Sequence, residues 1–168
     1  KHTKDSSVSI PEKINKIVTQ PKSENRKIPK SWKDRSDIQK DWIEVKKDAE
    51  GYLIYEPCDG NTRSISLKNG YLSVQFQMEP AYTFSYDKFT TITGNKSFSL
   101  DAYEKSTQTG FPLSAKIVDA ENGLVLWEFN GEKWLMTPLE NAENFRHVKN
   151  NCPDYKRGEV TFLEFDEE

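Results

Sequence analysis

Residues 64–78 constrain the fold more than any other part of the sequence. Ser64-Ile65-Ser66-Leu67 alternates polar and apolar residues, and the alternation resumes from Tyr71 to Met78. Between the two runs lies Asn69-Gly70, a pair that suits a type I′ turn because both central positions of that turn need a positive φ. The segment therefore predicts an antiparallel hairpin with one apolar and one polar face.

Similar strand and turn signals recur along most of the chain. Residues 42–45 and 51–56 predict a first hairpin, and residues 82–86, 89–93 and 96–103 predict further strands. Turns at Asn122-Gly123 and Asn130-Gly131 divide residues 113–137 into a meander of three strands. The run 124–129 is apolar on both faces, which favours a central strand over one that exposes aromatic residues for binding.

The remaining segments predict short or marginal elements. Residues 31–41 contain serine and aspartate caps for a short helical piece, and residues 138–146 could form one or two helical turns. A helical turn could form at 11–19, and a last strand at 159–165. The fold class that follows is mainly β, an antiparallel meander that closes as a barrel or folds over as a two-sheet sandwich, with short peripheral helices.

The charge distribution divides the chain into an arm and a body. Residues 1–33 carry nine basic and three acidic side chains, net +6, whereas the remaining residues carry net −9. Residues 1–30 also contain three prolines and few apolar side chains, so we expect a flexible basic arm or tether at 1–30 and a single β-rich domain at 31–168. An acidic body argues against nucleic acid as a partner, because phosphate binding needs a basic face.

The two cysteines, Cys58 and Cys152, both lie in loop-like surroundings. A disulfide between them is the preferred interpretation, with two unrelated free thiols as the alternative. A bridge would imply an oxidising compartment, and so a periplasmic, cell-envelope or extracellular location. Residues 1–9 contain no apolar run of the kind a signal peptide has, as expected for a mature or trimmed chain. The composition of the arm also fits a tether behind a lipid anchor, which would make the protein a lipoprotein.

The chain resembles the lipocalin-like, or calycin, barrels over residues 40–155. The resemblance rests on a short helical lead-in that ends at Trp42, on the hairpin series 42–137, and on a C-terminal cysteine able to pin the tail to the barrel. Lys40 stands where the family has the glycine of its Gly-x-Trp element. The resemblance implies an up-and-down barrel and brings no catalytic motif.

Few residues suggest catalysis. His147 is the one histidine of the body, no Gly-x-Ser-x-Gly elbow is present, and neither a phosphate-binding glycine loop nor a set of metal ligands can be assembled. No segment approaches the ~18 to 20 consecutive apolar residues that a spanning helix needs. We therefore expect no enzyme activity, no catalytic residue, no metal and no cofactor.

The aromatic content favours a binding role. The chain has 20 aromatic residues, four of them tryptophans. An eight-stranded barrel can hold one small ligand, and Phe76, Phe98, Trp127 and Trp134 are the predicted lining of such an apolar cavity. The alternative is a protein-binding module, such as an immunity or envelope-complex protein, whose acidic surface attracts a basic protein.

Overall fold

The protein is described by a computed structural model, which describes residues 16–92, 96–151 and 160–165. It is mainly β, as the sequence predicts, with two short 3₁₀ helices at Arg35–Asp37 and Leu139–Asn144. The strands in chain order are β1 (Lys16–Thr19), β2 (Asp41–Glu44), β3 (Lys46–Asp48), β4 (Gly51–Glu56), β5 (Ser64–Lys68), β6 (Tyr71–Gln75), β7 (Tyr82–Ile92), β8 (Ser97–Tyr103), β9 (Gly110–Asp119), β10 (Leu124–Phe129), β11 (Glu132–Pro138) and β12 (Arg146–Asn150).

Eight strands form a closed antiparallel barrel in the order β10-β11-β2-β5-β6-β7-β8-β9. The hairpin β5–β6 has the predicted register, with Ile65 opposite Val74 and Leu67 opposite Leu72. All four of these side chains are buried in the barrel interior. The barrel closes where Met136 of β11 pairs with Glu44 of β2, and closure leaves no free edge in this sheet.

The predicted first hairpin is wrong in its pairing. β2 pairs with β5 and β11 in the barrel, whereas β4 pairs with the short strand β3 and with β12. Residues predicted to be a loop, Lys46–Asp48, form β3 instead. Val45 explains the change of sheet, because its side chain is buried in a second apolar cluster outside the barrel.

A four-stranded sheet in the order β1-β12-β4-β3 lies beside the barrel. Its strand β12 runs parallel to β4, so that Arg146 lies opposite Leu53. Apolar residues of this sheet and of the outer barrel wall share the second cluster, which contains the buried residues Val45, Ile54, Leu124, Leu135 and Phe145. Leu124–Phe129 is therefore covered on both sides of the barrel wall, as its apolar sequence predicts.

The described part of the arm contacts the body. Lys16–Thr19 is a strand, so the predicted helical turn is wrong there, and residues 11–15 lie outside the described residues. The amide of Lys22 donates to the carbonyl of Glu143 at 2.9 Å, and that of Ile28 donates to the carbonyl of Ala120 at 3.0 Å. The predicted division between arm and body at residue 30 stays a prediction.

Residues 28–40, called the plug below, close one end of the barrel. Trp32 and Ile38 of this segment are buried in the barrel core. Asp34 and Asp37 form a capping box around the first 3₁₀ helix, which fixes the path of the chain before β2. The short helical lead-in predicted from the sequence is thus present as a single 3₁₀ turn.

The C-terminal part of the chain adds no strand within the described residues 160–165, where a last strand was predicted. Phe162 packs edge-on against Tyr55, with ring centroids 4.9 Å apart, and the amide of Leu163 donates to the carbonyl of Lys47 at 2.8 Å. Cys58 is part-buried. Its predicted partner Cys152 lies outside the described residues, so the disulfide between them stays a prediction.

In the described residues no helix combines the length and the apolar character needed to span a membrane.

Candidate functional site

The barrel end opposite the plug is built from aromatic side chains. These side chains come from the ends of β6 and β10 and from the beginnings of β7, β9 and β11, which all lie at this end of the barrel. We call this surface the aromatic end. Its residues are Phe76, Tyr82, Phe84, Phe111, Phe129 and Trp134.

The rings of the aromatic end form one continuous set of contacts. Phe111 lies 4.6 Å from Phe84 and 4.7 Å from Phe129, measured between ring centroids. Phe76 lies 5.4 Å from Trp134 and 5.9 Å from Tyr82. Most of these pairs are edge-to-face, an arrangement that aromatic quadrupoles favour.

This end is more accessible to solvent than the rest of the core. Phe76, Phe84 and Phe111 are part-buried, Tyr82 is 43% exposed, and the neighbouring Met78 is 66% exposed. A patch of apolar surface that connects directly to the core is a common feature of ligand sites.

The four residues predicted to line a cavity all belong to the barrel core, in two pairs. Phe76 and Trp134 are in contact at the aromatic end, and Phe98 and Trp127 are in contact with ring centroids 5.4 Å apart. Trp127 and Trp134 lie directly opposite each other on β10 and β11. Phe98, Trp127 and Trp134 are at most 1% exposed. A ligand could reach Phe98 or Trp127 only by displacing one of the aromatic rings that cover them. Their role in ligand binding stays a prediction.

Two charged residues extend the core at the aromatic end. Glu44 follows Trp42 by two positions on β2, and Arg63 precedes Ile65 by two positions, so both share the inward face of their strands. The guanidinium carbon of Arg63 lies 5.3 Å from the Trp134 ring centroid, a cation–π contact. Its Nη1 lies 3.2 Å from a carboxylate oxygen of Glu44, which is itself only 8% exposed.

Carboxylates also lie around the outside of this end. The indole N–H of Trp134 donates to Glu132 at 3.1 Å. The negative charge of nearby Glu79 raises the pKa of the Tyr82 hydroxyl above its usual range. Both glutamates are exposed, so salt and water screen their fields.

A separate groove lies between the barrel wall and the small sheet. It has a volume of about 710 Å³, and its apolar lining includes Val45, Leu126, Leu135 and Phe162. The charged residues Glu44, Lys46, Lys47 and Lys133 also line it, and the C-terminal residues 162–165 form one wall. The groove is thus partly occupied by the chain's own tail.

His147 has a structural contact. Its Nε2 lies 2.8 Å from the carbonyl oxygen of Ala142, which joins β12 to the second 3₁₀ helix. The described residues contain no group of three or more histidine, cysteine, aspartate or glutamate side chains placed to hold a metal ion. The expectation of no catalytic residue stays a prediction.

Comparison with known proteins returns no relative: no family model, no curated protein and no solved structure matches the chain. The closed eight-stranded antiparallel barrel is consistent with the predicted resemblance to lipocalin-like proteins, but other families share this architecture. Membership in that family stays a prediction.

Sequence reasoning missed the residues that complete the aromatic end. Tyr82 and Phe84 alternate with Thr83 and Ser85, a signal that places both rings on one face. No local pattern marks Arg63 and Glu44, because their pairing depends on which strands are neighbours in the barrel.

Proposed function

We propose that the protein is a non-enzymatic binding protein of the cell envelope or the secreted fraction, and that it binds a small apolar molecule at the aromatic end. The part-buried rings of Phe76, Phe84 and Phe111 are the observation that carries the proposal. They would cover one face of a ligand while the fully buried rings behind them hold the surface rigid. The basic arm would act as a tether, and neither a metal nor a cofactor is needed for this role.

A shallow site at this end agrees better with the packing than a deep cavity. The interior beyond Trp134 contains Phe98, Trp127, Trp42 and Trp32, whose neighbouring ring centroids are 5.3 to 6.2 Å apart. Protein cores at such density yield little space without a cost in stability. The ligand therefore lies against Phe76, one of the four residues predicted from the sequence, and the buried ring of Trp134 packs behind it.

Thermal shift and isothermal titration with fatty acids, bile acids and haem test the proposal. Two exposed tyrosines give a matched pair of variants, since Tyr82 is 43% exposed at the aromatic end and Tyr71 is 48% exposed near the opposite end of β6. Tyr82→Ser should weaken binding severalfold, and Tyr71→Ser should leave it unchanged. The proposal fails if no compound binds, or if both variants weaken binding equally.

A protein partner is the second candidate function. β1 is an edge strand of the small sheet, and no described strand pairs with its outer edge. Ile17 and Val18 of this strand are 53% and 38% exposed. An extended segment of another protein could add to β1 by backbone hydrogen bonds, and the acidic body would favour a basic partner.

Pull-down from the secreted fraction of the source organism tests this second candidate. We expect a salt-sensitive partner with the unaltered protein and its loss with Ile17→Lys. Leu163→Lys, at another exposed apolar side chain (52% exposed), is the control. Recovery of the same partner with Ile17→Lys would exclude β1 as the binding edge.

A further inference from the structure

The pair Glu44 and Arg63 occupies the rim of the aromatic end in a defined register. The amide of Glu44 donates to the carbonyl of Arg63 at 2.9 Å, which continues the β2–β5 ladder by one residue beyond Ile43 and Ser64. The two side chains are therefore cross-strand neighbours on the inward face. Arg63 directly precedes β5, and this backbone hydrogen bond fixes it beside Glu44 of β2.

Lys46 adds a second positive charge beside the pair of Glu44 and Arg63. Glu44 accepts from Lys46 at 2.7 Å as well as from Arg63 at 3.2 Å, with the same oxygen, Oε1. Two cations thus share one carboxylate. The group of Glu44, Arg63 and Lys46 therefore has a net charge of +1, with Arg63 as the cation that contacts the aromatic end.

Arg63 also has a hydrogen-bonding atom that the described residues do not satisfy. Its Nε is buried and has no hydrogen-bond partner among them. A buried donor without an acceptor is costly, and native proteins contain few of them. A guanidinium group presents its donors in a planar fork that fits a carboxylate.

We propose that the apolar ligand of the aromatic end carries a carboxylate, and that Arg63 binds it. The inference rests on the proposed function, since it names the chemical class of the ligand at the same site. The apolar part of the ligand lies against the part-buried rings of Phe76, Phe84 and Phe111, and its carboxylate accepts from the guanidinium of Arg63. Glu79 and Glu132 disfavour an anion only weakly, because both are exposed and screened by solvent.

A ligand series on the unaltered protein tests this proposal. Dodecanoate, dodecanol and dodecylamine have the same chain and differ in the charge of the head group. By isothermal titration we expect dodecanoate to bind at least about tenfold tighter than the alcohol, as a charged hydrogen bond allows, and the amine to bind more weakly still. Equal affinities, or tightest binding by the amine, would overturn the carboxylate while leaving the apolar site in place. Binding of none of the three would instead remove the proposed function itself.

Variants assign the effect to Arg63. Arg63→Met should bring dodecanoate to the affinity of the alcohol. Arg35→Met is the matched control, because Arg35 also lies over an aromatic ring, 5.9 Å from the Phe89 centroid, but at the plug. If Arg63→Met does not fold, Arg63→Lys keeps the charge without the fork and should reduce the preference for dodecanoate severalfold. An unchanged preference in a folded Arg63 variant would contradict the proposal.

Discussion

The indole N–H of Trp42 donates to the carbonyl of Ile38 at 3.0 Å. This bond joins the first barrel strand to the plug, and both residues are at most 1% exposed. The plug therefore has a fixed place in the core, which leaves the aromatic end as the accessible end of the barrel.

Trp42→Phe should destabilise the fold. The variant leaves the indole's hydrogen bond unmade, so that the Ile38 carbonyl keeps only the Lys40 amide as a donor, and it removes buried volume. We therefore expect a loss of about 2 to 3 kcal/mol in the free energy of unfolding. Urea unfolding followed by circular dichroism measures it. Tyr71→Phe, at an exposed ring, should change stability by less than about 0.5 kcal/mol. Equal effects of the two variants would contradict a structural role for the bond.

A side chain at Gly131 should destabilise the fold because of the backbone conformation there, and not because of a steric clash. Its φ is +84°, and a Cβ there would meet nothing within 4 Å. Gly131→Ala should therefore cost about 1 kcal/mol or more through strain in the left-handed region. Gly110→Ala is the control, since a Cβ there would meet its nearest neighbour, the carbonyl oxygen of Ala102, at the ordinary contact distance of 3.4 Å. A larger loss of stability for Gly110→Ala than for Gly131→Ala would contradict a left-handed backbone conformation at Gly131.

The carboxyl of Asp41 should titrate below its usual range. Hydrogen bonds from the Ser66 hydroxyl and from Lys68 lower the pKa of Asp41. Because the folded pKa is lowered, this group contributes stability above its unfolded pKa and loses that contribution as the pH falls through the folded value. Ser66→Ala should raise the Asp41 pKa in an NMR titration, whereas Ser73→Ala, opposite Ser66 on β6, should not. The assignment fails if Ser66→Ala leaves the pKa unchanged.

The ion pair between Arg146 and Asp48 should contribute more than the surface pairs of the same sheet. The Arg146 side chain is 8% exposed and that of Asp48 is 14% exposed. Asp48→Asn should cost roughly 2 kcal/mol or more, since within the described part of the chain it leaves the buried guanidinium with the outer carboxylate of Glu50 alone. Glu56→Gln, which removes an exposed pair with Lys149, should cost less than about 1 kcal/mol. Thermal unfolding compares the two variants.

The predicted disulfide has a direct test. Alkylation of unreduced, denatured protein followed by mass measurement should detect no modified thiol. If the bridge exists, its reduction should lower stability by about 4 to 5 kcal/mol on the chain-entropy model. Two alkylated thiols in the unreduced protein would instead support the alternative of unrelated free cysteines.

The sequence predicts the barrel well where strand signals are local. Asn69-Gly70 and Asn130-Gly131 each lie at the predicted turn. Asn130 and Gly131 both have the positive φ of a type I′ turn, whereas at Asn69-Gly70 only Gly70 does, so the predicted type I′ is wrong there. Tertiary contacts decide the remaining elements. β12 runs parallel to β4, and a parallel pairing between distant strands leaves no signature in either strand alone.

The candidate site is less predictable than the fold. An inward aromatic residue looks the same in sequence whether it lies in mid-barrel, as Trp127 does, or at the end, as Phe76 does. Depth in a barrel depends on the stagger between strands, which individual strand sequences do not reveal. The pairing of Glu44 with Arg63 depends on the same stagger.

The most direct test of the account is to map the ligand on the protein by NMR. The tightest binder of the fatty acid, bile acid and haem panel would be titrated into ¹⁵N-labelled protein, and the amide shift changes would be placed on the barrel. We predict changes at Arg63, Phe76, Tyr82, Phe111 and Trp134. Changes confined to the plug or to the groove beside the small sheet, or no changes at saturating ligand, would contradict binding at the aromatic end.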